Sequence, residues 1–362
     1  MATFKFGNGD NLSATVSTNG DTYIFGNGRD IVDANNTSND IITLGNGARD
    51  VVVASFTQTD TITLGNGDGD VVGALSDSNN IITLGNGAGD MVLDNFSNAE
   101  TITLGNGDGD HVDADHNGFY TITLGSGNND TVNASSGGGT TITLGSGDKD
   151  TVSADLVQAD TITLGNGNGD TVNAGHGGAD NTITLGNGNN DTVNANGTDN
   201  TITLGNGNND TVNASGTGTT ITVGNGNNDL VSARGGSSGS AVITLGNGDG
   251  DMVFGGINSN ITVGNGNDTI NVGLNNIVTV GTGQDSFVFE QTTAGNIGAV
   301  TINHFDPSKD VIVLTQTLVP TQNVLPAQDV NGNAVVTVAT GDTITLVGVH
   351  SSALHASDFQ FV

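Results

Sequence analysis

One aspartate recurs along most of the chain at nearly constant spacing. Its first eight occurrences stand 20 residues apart, and the later ones follow at spacings of 21, 19, 19, 22, 17 and 17. The members are Asp30, Asp50, Asp70, Asp90, Asp110, Asp130, Asp150, Asp170, Asp191, Asp210, Asp229, Asp251, Asp268 and Asp285. If each repeat is one coil of a stack, these residues form an aspartate column with carboxylates roughly 5 Å apart. Such a column is destabilising unless a cation neutralises it.

Calcium is the cation that these residues favour. Ca²⁺ takes about 6–8 oxygen ligands and mixes carboxylates with backbone carbonyls, which glycines leave accessible. The chain has no cysteine, and no histidine column accompanies the aspartates, as expected for a hard cation. We therefore expect several Ca²⁺ ions between successive glycine turns, with the aspartate column as ligands. The alternative is that the aspartates only cap turns through side-chain hydrogen bonds.

The repeat around each aspartate predicts the elements that position it. The unit reads T-I-T-L-G-N-G-x-x-D-x-V-x-A, as in residues 161–174 (TITLGNGNGDTVNA). Apolar residues alternate with polar ones on both sides of the glycine turn, which predicts two short strands per coil. Gly and Asn accept positive φ cheaply, so Gly-Asn-Gly is expected to turn the chain. The predicted fold is all-β: a right-handed parallel β-roll or β-solenoid of about 20-residue coils over residues 1–285. Residues 286–362 are expected to form a small β-rich capping domain.

The glycine turns resemble the nonapeptide G-G-x-G-x-D-x-U-x of the RTX (repeats-in-toxin), haemolysin-type calcium-binding family. The most similar stretches are residues 264–270 (GNGNDTI), 26–32 (GNGRDIV) and 281–288 (GTGQDSFV). Most other repeats, such as residues 205–212 (GNGNNDTV), hold one more residue before the aspartate. The family usually has two glycine turns per coil, whereas this chain has one. The resemblance therefore implies calcium on one edge only, and Asp155 and Asp160 in the other turn are expected to matter little.

The C-terminal segment resembles that of RTX proteins in residues 287–290 (FVFE), 305–314 (FDPSKDVIVL) and 358–362 (DFQFV). In that family the C-terminus is the uncleaved signal for type I secretion. The resemblance implies the type I secretion machinery as a partner and an extracellular or cell-surface location. Residues 1–10 (MATFKFGNGD) do not have the pattern of a signal peptide, in keeping with that route. The alternative is a cap without any role in export.

Charge and composition exclude several classes of function. The 38 acidic residues against 6 Lys and Arg give a formal net charge of −32, which argues against nucleic acid as a partner. No stretch approaches the roughly 18 apolar residues of a membrane span, so membrane insertion is not expected. Nothing in the sequence assembles a nucleophile, a base and an oxyanion site, and we expect that the protein is not an enzyme.

The expected function is structural: a secreted building block of a bacterial surface layer, an extracellular filament or a biofilm matrix. Residues 4–11 (FKFGNGDN) already match the first coil, which predicts head-to-tail self-association through that end. The alternatives are a ligand-binding adhesin and an ice-binding protein that uses outward threonine rows such as Thr121 and Thr123. Ile41, Ile81 and Val242 interrupt these rows, so we expect no ice binding.

Overall fold

The computed structural model describes residues 2–76, 78–114, 119–134, 139–154, 159–175, 179–234, 239–289, 296–315, 327–339 and 341–362. By its internal contacts the chain separates into two compact units, Met1–Gly186 and Asn187–Val362. In both units, short strands stack in parallel with a period of about one repeat, which confirms the predicted all-β parallel β-solenoid.

In unit 1 the strands alternate between two parallel sheets. Odd-numbered strands, most of which carry the T-I-T motif, form the threonine sheet, and even-numbered strands, most of which directly follow an aspartate, form the valine sheet. The strands are β1 (Thr3–Lys5), β2 (Ser13–Thr15), β3 (Thr22–Ile24), β4 (Ile31–Asp33), β5 (Ile41–Thr43), β6 (Val51–Val53), β7 (Thr61–Thr63), β8 (Val71–Gly73), β9 (Ile81–Thr83), β10 (Met91–Leu93), β11 (Thr101–Thr103), β12 (His111–Asp113), β13 (Thr121–Thr123), β14 (Thr131–Asn133), β15 (Thr141–Thr143), β16 (Thr151–Ser153), β17 (Thr161–Thr163), β18 (Thr171–Asn173) and β19 (Thr182–Thr184).

The period of two within each strand decides which side chains form the core. In β13 the middle residue Ile122 is fully buried while Thr121 and Thr123 face outward, and in β14 Val132 is buried between two outward residues. Leu124 and Ala134, one residue beyond the strands, complete the buried layer. A three-residue strand buries too little surface to be stable alone, so each coil depends on its neighbours in the stack.

Unit 2 shows the same alternation up to Leu314, after which three consecutive strands lie in one sheet. Its strands are β20 (Thr192–Asn194), β21 (Thr201–Thr203), β22 (Thr211–Asn213), β23 (Thr220–Val223), β24 (Leu230–Ser232), β25 (Val242–Leu245), β26 (Met252–Phe254), β27 (Asn260–Thr262), β28 (Thr269–Asn271), β29 (Ile277–Thr279), β30 (Ser286–Phe289), β31 (Ala299–Asn303), β32 (Val311–Leu314), β33 (Ala327–Val330), β34 (Asn333–Ala339), β35 (Asp342–Val347) and β36 (Phe359–Phe361). Two 3₁₀ helices, Ser351–Ala353 and Ala356–Asp358, precede β36.

Parallel stacking extends past Asp285. β30 pairs with β28 and then with β32, and β36 pairs in parallel with β32. β31 pairs in parallel with β29 and β35, while β33, β34 and β35 are antiparallel neighbours. The terminal residues that resemble a secretion signal therefore form part of the valine sheet, and the domain boundary at residue 285 stays a prediction. No helix among the described residues has the length and hydrophobicity that a membrane crossing needs.

Candidate functional site

The aspartate column lies inside the coils. Each member directly precedes a strand of the valine sheet, as Asp130 precedes β14, and every member is almost completely shielded from solvent. More than half of the 38 acidic side chains in the sequence are buried in this way. Much of the formal charge of −32 is therefore assigned to buried side chains and not to the surface.

Within each unit, successive column carboxylates accept a backbone hydrogen bond from the preceding coil through one oxygen. The amide of Asp110 donates to Oδ1 of Asp130 at 2.9 Å, and the amide of Asp130 donates to Oδ1 of Asp150 at 2.9 Å. The same bond recurs along both units at 2.7–3.1 Å. The column thus links coil to coil, which is the capping role that the sequence left open as the alternative to calcium binding.

The second oxygen of most column carboxylates lacks such a hydrogen-bond donor. Within the described residues, Oδ2 is buried and has no hydrogen-bond partner in Asp30, Asp50, Asp70, Asp90, Asp110, Asp130, Asp150, Asp210, Asp229, Asp251, Asp268 and Asp285. A buried ionised oxygen without a partner is strongly destabilising, so it calls for a proton or a cation.

The pKa values of the column reflect this burial. Loss of hydration raises the pKa of Asp70, Asp110, Asp150, Asp229 and Asp268 to about 7, and that of Asp50, Asp130, Asp210 and Asp285 to about 6. The backbone amide of the preceding coil opposes the rise, and for Asp110 and Asp150 the neighbouring column carboxylates add to it.

The donors match calcium in type but not in number. A carboxylate oxygen without a hydrogen-bond donor is a suitable ligand for a hard cation, and the twelve carboxylates named above supply one each. Among the described residues, however, no group of three or more His, Cys, Asp or Glu side chains is placed to hold a metal ion. Backbone carbonyls of the glycine turns would have to supply the remaining oxygens of each site.

The opposite edge is made by the second turn of each coil, whose sequence varies, and we call it the variable edge. It has a buried row of polar side chains with the same hydrogen-bonding pattern. The amide of Asp40 donates to Asp60 Oδ1 at 2.9 Å, and the amide of Asp60 donates to Asn80 Oδ1 at 2.8 Å. Asp160 is buried there and accepts from the amide of Thr140 at 2.7 Å, so the expectation that Asp160 matters little does not fit the structure. Asp155 lies outside the described residues. The repeat pattern did not predict this row because its members vary among Asp, Asn, Glu and Thr.

The aspartate column also has a member that the spacing did not identify. Asp310 follows Asp285 by 25 residues, and its Oδ1 accepts from the amide of Asp285 at 3.0 Å. Its Oδ2 accepts from the amide of Asp306 at 2.8 Å, so both oxygens have donors. The signal that could have found it is the four-residue pattern D-V-I-V, which has an aliphatic residue where the repeats have valine in D-x-V-x but lacks the glycine turn.

The glycines of the Gly-Asn-Gly turn are required for a reason other than positive φ. Positive φ occurs at the residue directly before the aspartate, as in Gly109, Asn129 and Lys149. At Gly127, by contrast, a Cβ would lie 1.6 Å from the carbonyl oxygen of Gly107 in the preceding coil. The turn glycines therefore permit the close approach of successive coils, and the expected role of these residues in positive φ is wrong.

Asparagine side chains form two further ladders along the glycine edge, the edge made by the Gly-Asn-Gly turns. The amide of Asn86 donates to Asn66 Oδ1 at 2.9 Å, and the amide of Asn106 donates to Asn86 Oδ1 at 2.9 Å. Two residues further along each turn, the amide of Asn128 donates to Asp108 Oδ1 at 2.8 Å. The turn backbone is thus bonded from coil to coil by side chains, and the recurrent G-N-G-N/D pattern was the available signal.

The threonine sheet presents two outward rows in register in unit 1. Thr123 pairs with Thr103 and Thr143, and Thr121 pairs with Thr101 and Thr141. The row of third residues is threonine at every level from β5 to β19, whereas the row of first residues holds Ile41 in β5 and Ile81 in β9. The face is regular over β11 to β19 and irregular before them.

Three comparisons with known proteins were made. No protein-family profile, no curated protein and no solved structure matches this chain.

Proposed function

We propose that this protein is a secreted, calcium-dependent structural protein of the RTX type, a building block of a surface layer, filament or biofilm matrix. The observation that carries the proposal is the column of buried carboxylates, twelve of which, among the described residues, have one oxygen without a hydrogen-bond donor. A fold that concentrates so much negative charge inside itself needs a counter-charge that folding brings with it.

The electrostatic scale supports a bound counter-ion. Two carboxylates one coil apart, roughly 5 Å, repel by about 3 kcal/mol at an effective dielectric constant of about 20. Repeated at every coil, this repulsion exceeds the net stability of an ordinary domain, which is about 5–15 kcal/mol. Calcium between successive glycine turns would remove the repulsion, and the free energy of metal binding would then contribute directly to folding. Export through the type I machinery in an unfolded, calcium-free form fits this dependence.

The proposed assembly is head-to-tail. All three residues of β1 are exposed, including Phe4, which stacks on Tyr23 with ring centroids 4.9 Å apart. Phe6 stacks on Phe25 at 4.2 Å in the same way. Among the described strands β1 pairs with β3 alone, and a strand with a free edge and an exposed aromatic residue is a template for a further strand. Docking of the C-terminal region of another molecule there gives a contact that need not close, and therefore a filament.

The test is a calcium titration of the chelator-treated full chain at pH 7.5, followed by circular dichroism and by electron microscopy. We expect an expanded chain in chelator, a β spectrum after calcium addition, and filaments only with calcium. Magnesium at the same concentration is the control, because it tolerates irregular all-protein oxygen cages poorly. A full β spectrum in excess chelator at this pH would overturn calcium dependence, and folded protein without filaments would overturn head-to-tail assembly.

Ice binding is the second candidate, and the in-register threonine rows from β11 to β19 are the observation that favours it. Ice affinity requires a flat and regular lattice of outward groups. Ile41 and Ile81 interrupt one row in unit 1, and Val242 takes the same position in β25 of unit 2. Threonine is also a good strand former on an exposed stacked face, which explains the rows without any ligand.

A further inference from the structure

The outer face of the valine sheet in unit 1 changes character along the stack. On β14, β16 and β18 the outward residues are threonine, asparagine and serine. On β4, β6, β8 and β10 six of the eight outward positions hold aliphatic residues, and Asp33 and Gly73 hold the other two. We call these six residues the aliphatic strip: Ile31, Val51, Val53, Val71, Met91 and Leu93. Ile31 is exposed and the other five are partly exposed, and the buried valines behind them are the same in both regions. The fold does not require the strip, and a contiguous exposed apolar area is typical of an interaction surface.

Two exposed aromatic residues flank the strip in the variable turns. Phe56 is 65% exposed and Phe96 is 61% exposed. Their φ angles of +61° and +67° lie in the left-handed region, which favours glycine and asparagine and is unfavourable for a bulky side chain by about 1–3 kcal/mol. Neither burial nor backbone conformation accounts for phenylalanine at these positions.

We propose that the aliphatic strip is a lateral docking surface for a second copy of this chain, related by a two-fold axis parallel to the stacking direction. This contact goes beyond the head-to-tail assembly and does not depend on it. The strip consists of two rows, the first and third residues of each strand, held in register from coil to coil. Such an axis places the first row of one copy on the third row of the other at every level. The coil repeat is identical in both copies, so the rows stay in phase along the whole contact.

On β6, β8 and β10 the residues that this axis brings together are complementary, whereas on β4 Ile31 faces Asp33. Val51 faces Val53 of the second copy, Met91 faces Leu93, and Val71 faces Gly73, where nothing lies within 4 Å of an added Cβ. One level further, on β12, the outward residues are His111 and Asp113, so that a base faces an acid. Inward side chains interdigitate in this manner when two sheets pack face to face about 10 Å apart.

The flanking turns follow the same pairing. The axis brings the variable edge of one copy beside the glycine edge of the other, so the sixth residue after an aspartate lies next to the second residue before it. Phe56 then lies beside Ala48 and Phe96 beside Ala88. In the coil between them, Ser76 takes the place of phenylalanine and Asp68 takes the place of alanine. The large apolar side chain occurs in those coils that have a small residue opposite.

The size of the face sets the strength of the contact. Eight strands from β4 to β18, about 4.8 Å apart and about 10 Å wide, give roughly 400 Å² per copy. A stable interface takes about 800 Å² per partner, so the dimer is weak and depends on concentration. Surface acids repel one another across the contact, and added salt therefore strengthens it.

Sedimentation equilibrium of the full chain in calcium, from about 10 µM to about 1 mM, tests the proposal. We expect a monomer–dimer equilibrium that strengthens in 0.5 M salt. The variant V51T/V53N/M91T/L93N gives β6 and β10 the residues of β14, and it should weaken dimerisation about tenfold or more with an unchanged circular dichroism spectrum. The control I41T/I81T removes exposed aliphatic residues from the threonine sheet and should leave dimerisation unchanged. Equal dimerisation of the strip variant and the native chain, or a native chain that stays monomeric to about 1 mM, would overturn the proposal.

Cysteine pairing tests the axis, because the described chain has no cysteine of its own. A mixture of the V71C and G73C proteins should form mixed disulfides faster than either protein alone forms its own. Homodimeric disulfides forming as fast as mixed ones would exclude this axis. Head-to-tail assembly fails or succeeds separately, since it gives masses beyond the dimer and leaves these pairs far apart.

Discussion

The two roles of the aspartate column, hydrogen bonding between coils and binding of calcium, make opposite predictions for Asp130→Asn. Asparagine keeps the Oδ1 that accepts from the amide of Asp110 at 2.9 Å, and it removes the buried oxygen whose burial raises the pKa of Asp130 to about 6. The protein already uses asparagine in this way on the variable edge, where the amide of Asp160 donates to Asn181 Oδ1 at 3.0 Å. Asp130→Ala removes the acceptor altogether.

The expected loss of stability in each variant depends on whether the amide of Asp110 keeps its acceptor. Asp130→Ala leaves the buried amide of Asp110 without its acceptor, which costs about 1–3 kcal/mol, and it also leaves a small cavity. In chelator at pH 5, where column carboxylates with pKa values of about 6–7 are protonated and the coils can stack, Asp130→Asn should instead keep the local stability of the native chain. In saturating calcium the order changes: Asp130→Asn should lose stability as well, because an amide oxygen replaces a charged ligand.

Hydrogen exchange with mass spectrometry is the appropriate assay, since stability in a stacked protein is local. Peptides that contain residues 110–112 report on the amide in question, and peptides around Asp50 serve as a distant internal control. If Asp130→Asn loosens these peptides as much as Asp130→Ala does in chelator at pH 5, the hydrogen bond is not what the column contributes. If calcium protects native and Asp130→Asn proteins equally, the coordination assignment fails.

Further predictions follow from the burial and the close approach of the coils. In chelator, the column pKa values of about 6–7, against the ordinary 3.8, mean that the folded chain binds more protons than the unfolded chain. The stability from these groups is therefore fully present below about pH 4 and falls as pH rises through 6–7. A melting temperature that is unchanged between pH 5 and pH 8 would contradict this. Gly127→Ala should destabilise by several kcal/mol because its Cβ would meet the carbonyl oxygen of Gly107 at 1.6 Å, whereas Gly73→Ala, with nothing within 4 Å, should change denaturant midpoints little; similar losses for both would refute the role of coil approach. Asp160→Ala should loosen the neighbouring coils by about 1–3 kcal/mol in hydrogen exchange, since it removes a buried acceptor, and an effect near zero would exclude a structural role for the variable-edge row. No thermal hysteresis is expected at sub-millimolar protein, and clear hysteresis lost on replacing Thr121 by a bulky residue would establish ice binding instead.

Periodicity was sufficient to predict the coil. The alternation of Ile and Leu with threonine and of Val and Ala with polar residues has a period of two, and its recurrence every 17–22 residues allows only a stack of short parallel strands. The inward positions Ile122 and Val132 could be assigned without coordinates for the same reason. The recurring aspartate was equally visible, and with it the conclusion that each coil places one carboxylate at the same point.

What the sequence did not determine is which way the carboxylates point and what they meet. Burial of the column, its bonds to the amides of the preceding coil and the unpaired Oδ2 depend on distances between residues about 20 positions apart, which no local pattern encodes. Asp310 and the variable-edge row were missed because their spacing or residue type changes while their place in the coil does not. The turn at the glycines was predicted correctly but for the wrong reason. What constrains Gly127 is the carbonyl oxygen of Gly107 in the preceding coil and not its own φ angle. The sequence by itself determined the repeating unit, because alternation and turn chemistry are local; only the tertiary stack decided the environment of each carboxylate, because that environment is supplied by the neighbouring coil.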